Sequence, residues 1–209
     1  MGVLDLEALA ATPLTREPFE FVVVPEFVKA EARAAIERDF PAVGSAGSHP
    51  VETVPCGPAF QALVDELNGE AMREAFQAKF GIDLAGRATM MTVRNHSSTR
   101  DGSIHTDSKT KIITVLIYLN TSWTEPNGRL RLLGSGHDLD DTLAEIAPEK
   151  GALVAFRRSD NSWHGHTPFI GERRVLQFNW VTTPDVARRE LARHGWTAKV
   201  KRLMAIAHR

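Results

Sequence analysis

Ile112-Ile-Thr-Val-Leu-Ile-Tyr-Leu119 is the stretch on which the fold turns. Its β-branched, aromatic and aliphatic residues read as a strand, and Asn120 begins the turn after it. Segments of the same kind lie around it at Arg87–Arg94, Arg129–Leu133, Ala152–Phe156 and Val175–Val181, separated by turn residues. Several short strands without helices between them indicate an antiparallel sandwich or barrel, a jelly roll in particular.

Upstream the pattern changes. Phe19–Val24 reads as a strand stopped by Pro25, and Val28, Ala32, Ala35 and Ile36 predict a helix from Glu26 to Asp39. The Gly-, Ser- and Pro-rich stretch Pro41 to Pro58 predicts a loop. Phe60, Leu63, Val64, Leu67, Ala71 and Ala75 mark a second amphipathic helix, interrupted at Asn68-Gly69. The expected fold class is mainly β with flanking helices. Its core is a double-stranded β-helix (a jelly roll, or cupin-like sandwich) with the N-terminal helices packed on one sheet. The expected organisation is a single domain over 1–209: strand–helix support to 86, a jelly-roll core over 87–183 and a basic C-terminal helix over 184–209.

Composition narrows the function. The chain has 209 residues, 43% hydrophobic and 24% charged, so it can bury a core without staples. Its net charge of −1 supplies no field to draw in nucleic acid or anionic lipid. Residues 185–209 carry seven Lys/Arg against two acids, an excess read as a solvated or self-docking tail. A single cysteine, Cys56, excludes an internal disulfide and any multi-cysteine metal site, and reads as an inert thiol. No apolar run is long enough to span a bilayer, and the N-terminus lacks a basic leader, so the expectation is a cytoplasmic protein without a membrane partner.

The chemistry gathers around His105-Thr-Asp107, just before the central strand. In an extended segment residues i and i+2 share a face, so the imidazole and carboxylate point the same way. His164 lies beyond three predicted strands, the central one included. Two imidazoles and one carboxylate on one face of a metal leave its remaining positions open, the arrangement associated with non-haem Fe(II) oxygenases.

From Met90 to Val181 the chain resembles the 2-oxoglutarate- and Fe(II)-dependent dioxygenases, most closely the prolyl-4-hydroxylase-like branch. The segments that carry the resemblance are His105-Thr-Asp107, Ile117-Tyr-Leu-Asn120 with Trp123, Asn127-Gly-Arg-Leu-Arg-Leu132, and Pro148 to Phe156. Ser162-Trp-His-Gly-His-Thr-Pro168 and Gly171-Glu-Arg-Arg174 complete the set. The resemblance implies that His105, Asp107 and His164 are the catalytic metal ligands, holding Fe(II), with 2-oxoglutarate as cosubstrate and O2 as oxidant. It implies Arg173 as the anchor for the far carboxylate of 2-oxoglutarate, with Arg174 the alternative. Guanidinium forks match carboxylates, and only one of two adjacent strand residues can face inward. Tyr118 and Asn95 are implied in the same cosubstrate pocket, although a tyrosine tied into the core is an open alternative for Tyr118. His166 competes with His164 for the metal, and the resemblance favours His164, which stands four residues before Pro168; otherwise His166, with Arg94 and Gln177, is a candidate for contacts behind the ligands or with substrate.

The implied reaction is hydroxylation of a C–H bond with release of succinate and CO2. A halogenase is disfavoured because Asp107 supplies the carboxylate that such enzymes lack. The primary substrate is left open among a prolyl or other protein residue, a small amino acid and a sugar. A non-catalytic or cupin-like metal-binding sensor on the same fold is the competing reading. His49, His194 and His208 are expected to be exposed, and Lys111 to face an anionic substrate or solvent.

Overall fold

The computed structural model describes residues 2–44, 46–189 and 192. In chain order the elements are α1 (Leu6–Ala11), β1 (Phe21–Val24), α2 (Ala30–Arg38), β2 (His49–Pro50), α3 (Pro58–Leu67), α4 (Glu70–Phe80), β3 (Ala88–Ser97) and β4 (Lys111–Tyr118). They continue with β5 (Leu130–Leu133), β6 (Thr142–Ile146), β7 (Leu153–Arg157), β8 (His164–Gly165) and β9 (Gly171–Val181). A 3-10 turn, Val51–Thr53, follows β2.

Strands β1-β7-β4-β9-β3-β2 form a six-stranded sheet, and β6-β5-β8 form a second, three-stranded one. Every strand pairing is antiparallel, and the two sheets make the expected jelly roll. Alternation divides the large sheet into two faces. Ile113, Val115 and Ile117 of β4, with Leu176, Phe178 and Trp180 of β9, join the buried cluster that includes Leu9, Ile36, Phe60 and Phe76 of the helices. Tyr118, Val154, Phe156 and Val175 instead join Leu130, Leu132 and Ile146 of the small sheet. The helical layer thus backs one face of the large sheet and leaves the other face for the site.

The predicted interruption at Asn68-Gly69 is real, for Asn68 closes α3 and Gly69 opens α4. Gly81 then ends α4 in the left-handed conformation, where the missing Cβ removes the steric penalty. Three expectations near the N-terminus need correction. Residues 26–29 are not helical, because Lys29 N–H donates to Val3 O and Asp5 N–H to Phe27 O, pairing this segment with the chain's beginning. The stretch 41–58 is not all loop, since His49 and Pro50 pair with Val93 and Thr92 of β3. That pairing buries His49, which is not exposed as expected.

Residues 184–189 are helical, with Val186 and Ala187 packed on Met90 and Val181. Most of the basic tail, with His194 and His208, lies outside the described residues. Among the described residues no helix is long and apolar enough to cross a membrane.

Candidate functional site

A cavity of about 440 Å³ opens on the inner face of the large sheet. Its floor follows from strand alternation: Thr92 and Arg94 from β3, Thr114 and Tyr118 from β4, and Arg173 and Gln177 from β9. His105, Asp107, His164 and His166 stand along the same cavity.

His105 and His164 are directly opposite each other, joined by two backbone hydrogen bonds of 3.0 Å. Their ring centroids are 4.3 Å apart. Ligand atoms of His105, Asp107 and His164 all lie within 4.8 Å of one another, the metal-capable cluster among the described residues. Both imidazoles are oriented by backbone. His105 Nδ1 lies 2.8 Å from Ser103 O and His164 Nδ1 3.0 Å from Ser162 O. A carbonyl only accepts, so each Nδ1 carries the proton and each Nε2 keeps its lone pair for a metal. Burial, with a further push from His105, lowers His164 to about 4 against the pull of Asp107, so its ring is neutral at neutral pH. The donor set fits a divalent first-row ion with open coordination positions.

Asp107 is buried and held on all sides. Its Oδ2 accepts from Thr114 Oγ1 at 2.5 Å and its Oδ1 from Lys111 Nζ at 2.7 Å, while its backbone oxygen accepts from Arg158 Nε at 3.1 Å. Burial alone would raise its pKa, but Lys111, His164 and the Thr114 bond together hold the carboxyl below the usual range. The ion pair with Asp107 replaces the expectation that Lys111 faces substrate or solvent.

At the other end of the cavity, Arg173 is buried, with Nε donating 2.8 Å to Gly128 O and Nη2 donating 3.2 Å to the Tyr118 hydroxyl. Its guanidinium carbon also lies 5.0 Å over the Tyr118 ring. Tyr118 therefore meets a side chain in the cavity rather than a backbone group, and burial raises its pKa despite the guanidinium. Gly128 has φ of 79°, and a Cβ there would press on Trp123 at 2.8 Å, so glycine is required where the carbonyl receives Arg173. Arg174 turns to the opposite face. It pairs with Glu37 of α2 at 3.1 Å and with Glu172 at 2.8 Å, away from the cavity.

Asn95 is the sequence-derived candidate that the fold sends elsewhere. Met90, Thr92 and Arg94 point into the cavity, so Asn95 falls on the other side of β3, where its amide donates to Val43 O at 3.4 Å. Arg94 stays at the cavity, paired with Asp101 at 2.5 Å and reaching Ser48 Oγ at 3.3 Å. It thereby ties two mouth loops together. His166 lines the cavity outside the metal cluster. Its Nδ1 lies 2.9 Å from Thr167 O, and burial next to Arg173 lowers it to about 4. The side-chain amide of Gln177 lies 3.3 Å from that of Asn179. The grip of Thr114 and Lys111 on Asp107 had only one trace in the sequence, the matching parity of Thr114 and Tyr118 on one strand.

A jelly roll with two imidazoles and a carboxylate at one end of its cavity and a buried arginine at the other defines an iron-dependent oxygenase that uses an organic acid as cosubstrate. Residues 90–182, which contain all of these side chains, match the 2OG-Fe(II) oxygenase superfamily. That match marks a 2OG-Fe(II) oxygenase domain over this part of the chain, a 2-oxoglutarate-dependent Fe(II) dioxygenase with Fe(II), 2-oxoglutarate and O2 as its cofactor and cosubstrates.

Solved structures agree on the fold. A Pseudomonas putida prolyl-4-hydroxylase superposes with a TM-score of 0.56 at 18% identity, covering 85% of this chain and 97% of that one. A Phytophthora capsici prolyl 4-hydroxylase gives 0.55 at 17%, covering 90% and 68%. A Trichoplax adhaerens prolyl hydroxylase, solved with a hypoxia inducible factor peptide fragment, gives 0.55 at 17%, covering 90% and 89%. Comparison with curated protein sequences finds no match.

Proposed function

We propose that the protein hydroxylates a C–H bond, that of a prolyl or other residue in a peptide first, with a free amino acid or a sugar as the remaining substrate classes. The observation that carries the reading is the pairing of two sites in one cavity: His105, Asp107 and His164 at the mouth, and the Arg173–Tyr118 pair within it. The peptide bound to the Trichoplax relative supports a peptide as the first class to test. A cytoplasmic setting belongs to this reading, and the single free Cys56 suits it.

In this reading His105 Nε2, His164 Nε2 and one oxygen of Asp107 hold Fe(II). When bound, the metal would activate O2, the oxidant, one of whose oxygen atoms ends in the C–H bond and the other in succinate as 2-oxoglutarate loses CO2. The chain's own residues do the rest. The Ser103 and Ser162 carbonyls fix the two rings, and Lys111 and Thr114 keep the Asp107 carboxylate ionised. Arg173 and the Tyr118 hydroxyl receive the far carboxylate of 2-oxoglutarate, which orients its other end toward the metal. Arg94, bonded to Asp101 and Ser48, holds the loops of the mouth through which substrate enters.

The test is an anaerobic titration with Fe(II) and 2-oxoglutarate, followed through the visible charge-transfer absorption of the chelate. A band in the wild type that is absent in His164→Ala supports the reading. Iron binding without the band would leave a metal-binding module with no 2-oxoglutarate chemistry.

A further inference from the structure

Thr114 and Asn179 face each other across β4 and β9 and are 1% and 0% exposed. Neither needs to be polar for the sheet to pack, since valine or leucine would fill the space without a desolvation cost. Their polar atoms converge on Asp107. Thr114 Oγ1 lies 2.5 Å from Asp107 Oδ2 and 3.0 Å from Asn179 Oδ1, and Gln177 Nε2 lies 3.3 Å from the same Asn179 oxygen.

A threonine hydroxyl has one proton, and the carboxylate is the stronger acceptor. Two oxygens then meet 3.0 Å apart with no hydrogen between them, while Asn179 Nδ2 is buried without a partner. Rotating the Asn179 and Gln177 amides by half a turn removes both conflicts. Asn179 Nδ2 donates one proton to Thr114 Oγ1 and the other to Gln177 Oε1, leaving the carbonyl, the cheaper group to leave unpaired, in the empty corner. The result is one directed chain, Asn179 N–H to Thr114 O–H to Asp107 carboxylate, in which each bond polarises the next.

We propose that Thr114, backed by Asn179, is the positioning residue that pins Asp107 Oδ2, so that Oδ1, the oxygen that also accepts from Lys111 Nζ at 2.7 Å, is the one left to turn to the metal. The inference rests on the reading of His105, Asp107 and His164 as the metal site. Holding one oxygen in a charge-assisted bond prevents the carboxylate from rotating to offer both. That keeps a coordination position free for the cosubstrates, and it concerns the metal's affinity before any turnover.

The experiment is titration of the full-length protein with Mn(II) in the absence of 2-oxoglutarate, alongside a thermal melt of each metal-free variant. Thr114→Val keeps the shape and removes the donor, and is expected to weaken Mn(II) binding roughly ten- to hundredfold. Thr114→Ser restores the hydroxyl and binds near the wild-type level, while Asn179→Leu falls between. Should Thr114→Val fail to fold, Thr114→Cys carries the same expectation through its weak S–H donor. Wild-type affinity in the Val variant overturns the proposal. So does an equal loss in the Val and Ser variants, which would indicate packing. A wild-type protein that binds no Mn(II) would instead overturn the metal-site reading itself.

Discussion

Arg173 Nη2 stands 3.2 Å from the Tyr118 hydroxyl, with both side chains buried at the inner part of the cavity. An arginine there, bonded only to neutral oxygens, retains charge to spend on an anion.

Arg173→Ala is therefore expected to weaken 2-oxoglutarate binding roughly ten- to hundredfold, the equivalent of about 1.5–3 kcal/mol for a bond to a charged group. Arg173→Lys recovers little, because a point charge cannot serve Gly128 O, Tyr118 and a carboxylate together. Tyr118→Phe costs about 0.5–1.5 kcal/mol. Calorimetry with the Mn(II)-loaded protein measures all of these.

Arg174 supplies the contrast. Its pairs with Glu37 and Glu172 lie on the opposite face and are partly exposed. Arg174→Ala should leave 2-oxoglutarate affinity unchanged and lower stability by about 0–1 kcal/mol. An equal loss of cosubstrate binding in this variant would move the anchor to Arg174.

His164→Ala and His166→Ala should differ in kind. The first removes a member of the metal cluster and abolishes Mn(II) binding. The second removes a cavity side chain outside that cluster and preserves it. A reversed outcome would reassign the ligand.

Acid should destabilise the metal-free protein over a defined window. His164 and His166 both fall from 6.5 to about 4 through burial. Between those values the unfolded chain binds protons that the folded chain does not, so stability declines as pH falls from about 6.5 to about 4 and then loses nothing more from this source. Urea midpoints across that range test it, and His166→Gln should flatten part of the slope.

Gly102 has φ of 103°, and a Cβ there would run into the carbonyl oxygen of His166. Gly102→Ala should cost about 1–3 kcal/mol and displace the 98–104 loop from the strand beside it. A melting temperature equal to wild type would show that the loop can yield.

The β elements and the H-x-D segment were legible because alternation and side-chain type act locally. Ile112–Leu119 declares itself, and Arg173 against Arg174 follows from parity once one of them faces inward. The Thr114–Asn179 contact was not legible, since it depends on the register between β4 and β9, set by long-range pairing. The resemblance implies Asn95 in the pocket, yet its parity on β3 sends it toward Val43. Residues 26–29 follow a helical period, but backbone bonds to Val3 and Asp5 outweigh it. Strand β8 has two residues, too few to leave any pattern at all.

The way His105 and Asp107 are tethered has a consequence outside catalysis. His105 is bonded to β8 in the small sheet, while two residues later Asp107 is fastened to β4 by Thr114 and to Arg158 just beyond β7, in the large sheet. An ion held by both, and by His164, is a rivet across the seam between the layers. By mass action, metal at a hundred times its dissociation constant adds about 2.7 kcal/mol to the folded state. Iron supply would then govern how long the protein lasts in the cell as well as how fast it works, with iron-starved molecules opening first along that seam.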